Sequence, residues 1–318
     1  DHKNLKAWVG FDLDIPYPQM FDSTVRSGFE NYLLDKFKSV DELNKKWNRR
    51  YRSFAEVLAV ISPDSSSVEE QCFLAYHMER IIRHVKSRLY MIRSVDNNHP
   101  IVVYGNRPFL GVLKEEGDSG RLFASGNDWD LAESSEVFGC TSYPKWATQS
   151  VAQRDVRLRF QHSAARSKPF WVKEFHRPDD ALECPEGCVL DPNVQQRWFW
   201  QSIATGAKTI NFANWRDEVT GPGAGFFGLS GQDGRAGERL DALEHSIGVI
   251  NNNKELFDAI ETAGPKVGVI FNQESLLFME SRGQADKYWQ GFYDYCRALS
   301  QLGVNYRIIE KFEVDDFR

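Results

Sequence analysis

Residues 168–178 read KPFWVKEFHRP. The apolar run Phe170-Trp171-Val172 leads into Lys173 and Glu174, and His176, Arg177 and Pro178 follow at once. This pattern puts a carboxylate at the tip of a strand whose other residues suit a core. A buried carboxylate is rare unless it is paired or used. Pairing means an ion pair with Lys173 or Arg177; use means catalysis. Two further carboxylates close the run AWVGFDLD. If that run is a strand, Trp8, Gly10, Asp12 and Asp14 share one face.

The elements that must hold these residues alternate along the chain. DSTVRSGFENYLLDKF carries Val25, Phe29, Leu33 and Phe37 at helical spacing behind an Asp22/Ser23 cap. SVDELNKKWN predicts a short helix with Ser39 as N-cap and Glu42 completing a capping box. A long amphipathic helix, SSSVEEQCFLAYHMERIIRHVKSRLYMIRSV, precedes the strand IVVYGN. Three further helix-then-strand pairs follow, ending in the strands EVFGCTSYP, PFWVKEF and KTINFANW, and then the helix GERLDALEHSIGVINNN. Short, nearly continuous apolar strands alternating with helices predict a parallel sheet covered by helices.

Polar or aromatic residues sit at the same end of each strand. Asp12 and Asp14 close the first, Asn106 the second, Tyr143 the third, Glu174 the fourth, and Trp215 and Arg216 the fifth. A (β/α)8 TIM barrel builds its active site from the C-terminal strand ends, whereas an open doubly wound sheet gathers such groups only at a switch point. Five successive tips favour the barrel. No Gly-x-Gly-x-x-Gly follows a strand, so a dinucleotide fold has no support. After ETAGP a strand-helix-strand unit, KVGVIF to NYRII, reads as the start of a second α/β domain.

Composition bounds the partners. The 318 residues are 42% hydrophobic and 26% charged, which suits a packed core. The net charge is −6 and no basic block appears, which argues against nucleic acid. No apolar run approaches the length of a membrane span. Nine Trp and 22 Phe fit a large core first and exposed sugar platforms second. Of the cysteines Cys72, Cys140, Cys184, Cys188 and Cys296, only the CPEGC pair is close-spaced. A local disulfide there and two free thiols both fit, and no His or Cys pair with metal spacing accompanies it. The abrupt start, DHKNLKAWVGFDLD, leaves the compartment open between cytoplasmic and secreted or periplasmic.

Taken in order, several segments resemble glycoside hydrolase family 42, the β-galactosidase family: FENYLLDKFKSVDELNKKWNRRYRSFAEV, NDWDLAESSEVFGCTSYPKW, KPFWVKEF, ATGAKTINFANWR, GLSGQDGRAGERLDALEHSIG and GPKVGVIFNQES. The resemblance covers nearly the whole chain. It implies a (β/α)8 barrel present from strand four onward, at 1–255, and the start of a flavodoxin-like α/β domain at 256–318. It implies an O-glycosyl hydrolase with a carbohydrate substrate and no cofactor. The family has three strand-helix units before the strand AWVGFDLD, and this chain has none. The expectation is therefore a fragment, or a second polypeptide that completes the barrel; a homo-oligomer, a trimer by the resemblance, is the other partner implied.

The resemblance also assigns roles. Glu174 matches the nucleophile, and Tyr143 and Trp215 match substrate-pocket positions. The family's acid/base is a Glu after Asn on the strand that starts with Trp. WVGFDLD has no Asn-Glu: its ungapped position is Leu13, and one residue of slippage reaches Asp14. A retaining glycosidase needs its two carboxylates about 5–5.5 Å apart, one attacking the anomeric carbon and the other transferring the proton. Asp14 is shorter than Glu by one methylene, which widens the pair by about 1 Å. Asp12 and Asp14 equally suit binding of loop amides or arginines.

Trp215 can stack under a sugar or pack in the core, and Asn106 can bind a hydroxyl or cap a turn. His176 and Arg177 can contact hydroxyls, with solvated loop charges the plainer reading; Arg216, at the fifth strand tip, is a further substrate-binding candidate. Asp217 and Glu218 fit a surface role. The leading expectation is a retaining enzyme on β-galactosides or related glycosides. The alternatives are a carbohydrate-binding relative that has lost hydrolysis, and a glycosidase of a neighbouring barrel family acting on a polysaccharide.

Overall fold

The computed structural model describes residues 4–11, 22–61, 67–105, 126–142, 150–175, 191–216, 219–220, 228–259 and 264–311. The chain opens with strand β1 (Trp8–Phe11), followed by helices α1 (Ser23–Phe37), α2 (Val40–Trp47), α3 (Phe54–Ala59) and α4 (Val68–Arg93). Next come β2 (Ile101–Gly105), α5 (Asp128–Glu133), β3 (Val137–Thr141), α6 (Val151–Ala165) and β4 (Phe170–Phe175). Then come α7 (Pro192–Ala204), β5 (Ala207–Phe212), α8 (Glu238–Asn252) and α9 (Lys254–Ala259). A final unit runs β6 (Val267–Phe271), α10 (Gln273–Glu280), α11 (Ala285–Gln301) and β7 (Tyr306–Glu310).

The five strands β1 to β5 form one parallel sheet in sequence order, and β6 and β7 pair parallel in a second sheet. Parallel neighbours need a crossover, and the intervening helices supply it. The result is a partial α/β barrel, an arc whose outer strands are β1 and β5.

Alternation divides each strand between two faces. Ile101, Val103, Phe138, Cys140, Phe170 and Val172 pack under the helices in the main core. Val102, Tyr104 and Val137 form a separate cluster on the opposite, inner face, with Trp171 packed against it. Gly139 sits on that inner face because a Cβ there would collide with the Trp171 carbonyl oxygen and press on the Tyr104 ring.

The helices follow local sequence signals. Val25, Phe29, Leu33 and Phe37 of α1 are all buried, and Asp22 accepts from the Thr24 N–H at 2.8 Å. At α2 the Ser39 hydroxyl accepts from the Glu42 N–H, as expected. A full reciprocal capping box forms at α6, between Ser150 and Gln153. Helices α1 to α3 pack with the first half of α4 in their own aromatic core, where Phe29 meets Phe73 edge-on at 5.1 Å.

The last unit packs on the barrel. Phe271, Trp289 and Phe292 of the last unit belong to the same cluster as Trp129 and Phe160 of the barrel. Trp129 stacks on Phe271 with ring centroids 5.5 Å apart. Asn127 Nδ2 donates to Glu310 Oε1 at 2.7 Å, and the Ile308 N–H donates to Ser163 Oγ at 3.1 Å. Cys72, Cys140 and Cys296 are free and buried; Cys184 and Cys188 lie outside the described residues. Among the described residues, no helix is long and apolar enough to cross a membrane.

Candidate functional site

The C-terminal ends of β1 to β5 lie side by side, because the strands are parallel and in sequence order. Glu174 is the fifth residue of β4, so its backbone stands at the tip of that strand. Asp12, Asp14, Asn106, Tyr143 and His176 lie outside the described residues, as do Asp217 and Glu218; the side chain of Glu174 does too.

Two irregularities fall on the strands that carry the candidate carboxylates. In β1, Val9 pairs with Val102 but Phe11 with Val103, so β1 has one extra residue at Gly10. In β4, Val172 pairs with Ile210 and Phe175 with Phe212, so one extra residue falls at Lys173–Glu174. Such bulges re-aim side chains and collect beside active sites. The first corrects the simple alternation expected from Trp8. Gly10 faces Leu89 of α4, on the helix side, and Phe11 joins the helix-side core as well. Sequence periodicity has no signal for a bulge.

Lys173 is 8% exposed, with its ammonium 4.9 Å from the centroid of the Tyr104 ring, on the inner face. Sequence reasoning treated Lys173 only as an ion-pair partner for Glu174; its contact with a residue 69 positions away had no local signal. The Ser142 N–H donates to the Lys173 carbonyl at 3.0 Å, which joins the tips of β3 and β4.

Behind these tips lies Arg154 of α6, 1% exposed. Its Nη2 donates to Ser202 Oγ at 2.8 Å and to Ser142 Oγ at 3.4 Å, and its Nη1 donates to Gln201 Oε1 at 2.8 Å. Burial pulls the guanidinium down to about 9, and Arg157 nearby acts in the same direction. Arg154 fell on a helix that the sequence showed only as polar.

Trp215 follows β5. Its carbonyl accepts from Ser230 twice, from the N–H at 2.9 Å and from the hydroxyl at 3.0 Å. Its side chain is 64% exposed. It lines an open cavity of about 470 Å³ with Phe212, Leu229, Phe199 of α7 and Leu243 and Ile247 of α8. That cavity runs along β5 between it and helices α7 and α8. Arg216 is exposed, and its backbone bridges to Ser230. Among the described residues, no cluster of His, Cys, Asp or Glu has the makings of a metal site.

A parallel, helix-covered arc of strands in sequence order is the architecture of an α/β-barrel domain. The family model Glyco_hydro_42, described as beta-galactosidase, matches residues 2–250, and the chain belongs to that family. It is 23% identical over 305 residues to beta-galactosidase BgaH of Haloferax lucentense, covering 88% of this chain and 42% of that relative. It is 23% identical over 236 residues to a beta-galactosidase of Thermus thermophilus, covering 67% of this chain and 35% of that one. Among solved structures, the beta-galactosidase from Bacillus circulans sp. alkalophilus superposes with a TM-score of 0.77 at 14% identity, over 98% of this chain and 46% of that one. The chain thus spans less than half the length of these relatives.

Proposed function

We propose that the protein carrying this chain is a glycoside hydrolase that cleaves β-galactosides or related glycosides with retention of configuration. The family match across residues 2–250, which includes the tip of β4, is the observation that supports this most. In this reading Glu174 is the nucleophile. It attacks the anomeric carbon and forms a glycosyl-enzyme, while Asp14 protonates the departing oxygen; water then attacks with Asp14 as base. Asp12, Asn106, Tyr143, His176, Trp215 and Arg216 hold the sugar. A homo-oligomer is the assembly this reading carries.

One feature favours a second reading. The run WVGFDLD ends in Asp residues where the family resemblance calls for Asn-Glu. A relative that binds carbohydrate without cleaving it fits that difference. A panel of nitrophenyl glycosides separates the two. Release of nitrophenol from a β-galactoside or a related glycoside is expected. Binding of sugars with cleavage of none would transfer the assignment to the second reading.

A further inference from the structure

We propose that Arg154 is a positioning residue that holds the tips of β3 and β4 in register for catalysis. This rests on the reading of Glu174 as nucleophile. One hydrogen bond, from the Ser142 N–H to the Lys173 carbonyl, joins the residues that immediately precede Tyr143 and Glu174. Arg154 grips that junction from the helix side through Ser142 Oγ. It anchors the grip on α7 through Ser202 Oγ and Gln201 Oε1. From the inner face, Lys173 is seated on the Tyr104 ring. The β3 tip is thereby held from the helix side, and the β4 tip, which carries the bulge at Lys173–Glu174, is held from the inner face and tied to β3 by the Ser142–Lys173 bond.

The residue type is specific to the task. A guanidinium presents several donors in a fixed plane and can meet Ser142, Ser202 and Gln201 together. Lysine keeps the charge but cannot span the three acceptors in that geometry. A buried, hydrogen-bonded charge is also costly to place by chance, since its desolvation must be offset by its partners. The reach of Arg154 toward the strand tips is the part that plain packing of α6 on α7 does not require.

The test uses the full-length protein and a nitrophenyl β-galactoside. Arg154→Lys is expected to lower kcat on the order of 100-fold, since a misplacement of about 1 Å has that effect, with KM little changed. Ser142→Ala removes only the arm to the strand tip. It is expected to lower kcat several-fold and to slow trapping by a 2-deoxy-2-fluoro galactoside, at an unchanged melting temperature. Wild-type kcat in both Arg154→Lys and Ser142→Ala overturns the proposal. So does a kcat loss that merely follows the folded fraction. Glu174→Gln separates the two levels. If it is inert while the Arg154 and Ser142 variants work normally, only the positioning role fails. If it keeps wild-type turnover, the nucleophile assignment fails and takes the positioning role with it.

Discussion

Glu174 was visible in the sequence because an apolar strand ending in a carboxylate is unusual, and because four other strands ended in polar or aromatic residues in the same register. If it is the nucleophile, Glu174→Gln lowers kcat on the order of 10⁴-fold or more while the melting temperature holds, as steady-state kinetics and thermal unfolding would show. Its partner was less legible. WVGFDLD offers Asp14 instead of a Glu, and the bulge at Gly10 breaks the alternation on which its facing was argued. As acid/base, Asp14→Asn should lower kcat by about 10²–10⁴-fold. It should lower it least with a dinitrophenyl leaving group, which needs little protonation. An equal loss with all leaving groups would remove Asp14 from that role. Lys173 on Tyr104 and Arg154 on Ser142, Gln201 and Ser202 were not legible at all, because each depends on partners brought together only by the sheet and its helices.

Among the elements, helices were easiest to read: the buried residues of α1 are those spaced four apart in its sequence. Strand faces were readable as far as the bulges. Gly139 shows what the sheet adds, for its lack of a side chain answers to Trp171 and Tyr104 on neighbouring strands. Gly139→Ala should destabilise the protein by about 1–3 kcal/mol in urea unfolding. Outer strand β1 is tied down at its base. Asp96 accepts from Trp8 Nε1 at 2.9 Å, from the Asn98 and His99 N–H groups, and binds His99 Nδ1 at 2.7 Å. The bond from Trp8, followed by that from the Asn98 amide, holds this carboxyl well below the usual range. A depressed folded pKa gives stability that is fully present above the unfolded value, about 3.9, and is lost as pH falls from there towards the folded pKa. Urea midpoints should therefore decline below about pH 4, and Asp96→Asn should flatten that decline. An unchanged slope in the variant would show that Asp96 does not carry it.

At the scale of the whole molecule, the alternating pattern sufficed for a helix-covered parallel sheet, and the family match agrees with it. The packing of the last unit was not in the pattern. The strand-helix-strand run after ETAGP reads as the start of a second domain, and its Phe271, Trp289 and Phe292 pack against Trp129 and Phe160 of the barrel. Sequence periodicity reports that a helix has an apolar face and not which partner covers it. Trp289→Ala should cost about 3–5 kcal/mol and lower the unfolding of barrel and last unit together in calorimetry. Two separate transitions, with only one lowered, would show that the two units unfold independently, as a domain boundary near 255/256 requires.

The central claim is that Glu174 attacks the sugar. Incubating the full-length protein with a 2-deoxy-2-fluoro β-galactoside carrying a good leaving group, then mapping the labelled peptide by mass spectrometry, tests it most directly. The account predicts one fluorosugar per chain, attached to Glu174, with loss of activity in step with labelling. A protein that hydrolyses galactosides yet takes the label on another carboxylate, or releases the inverted anomer, would contradict it.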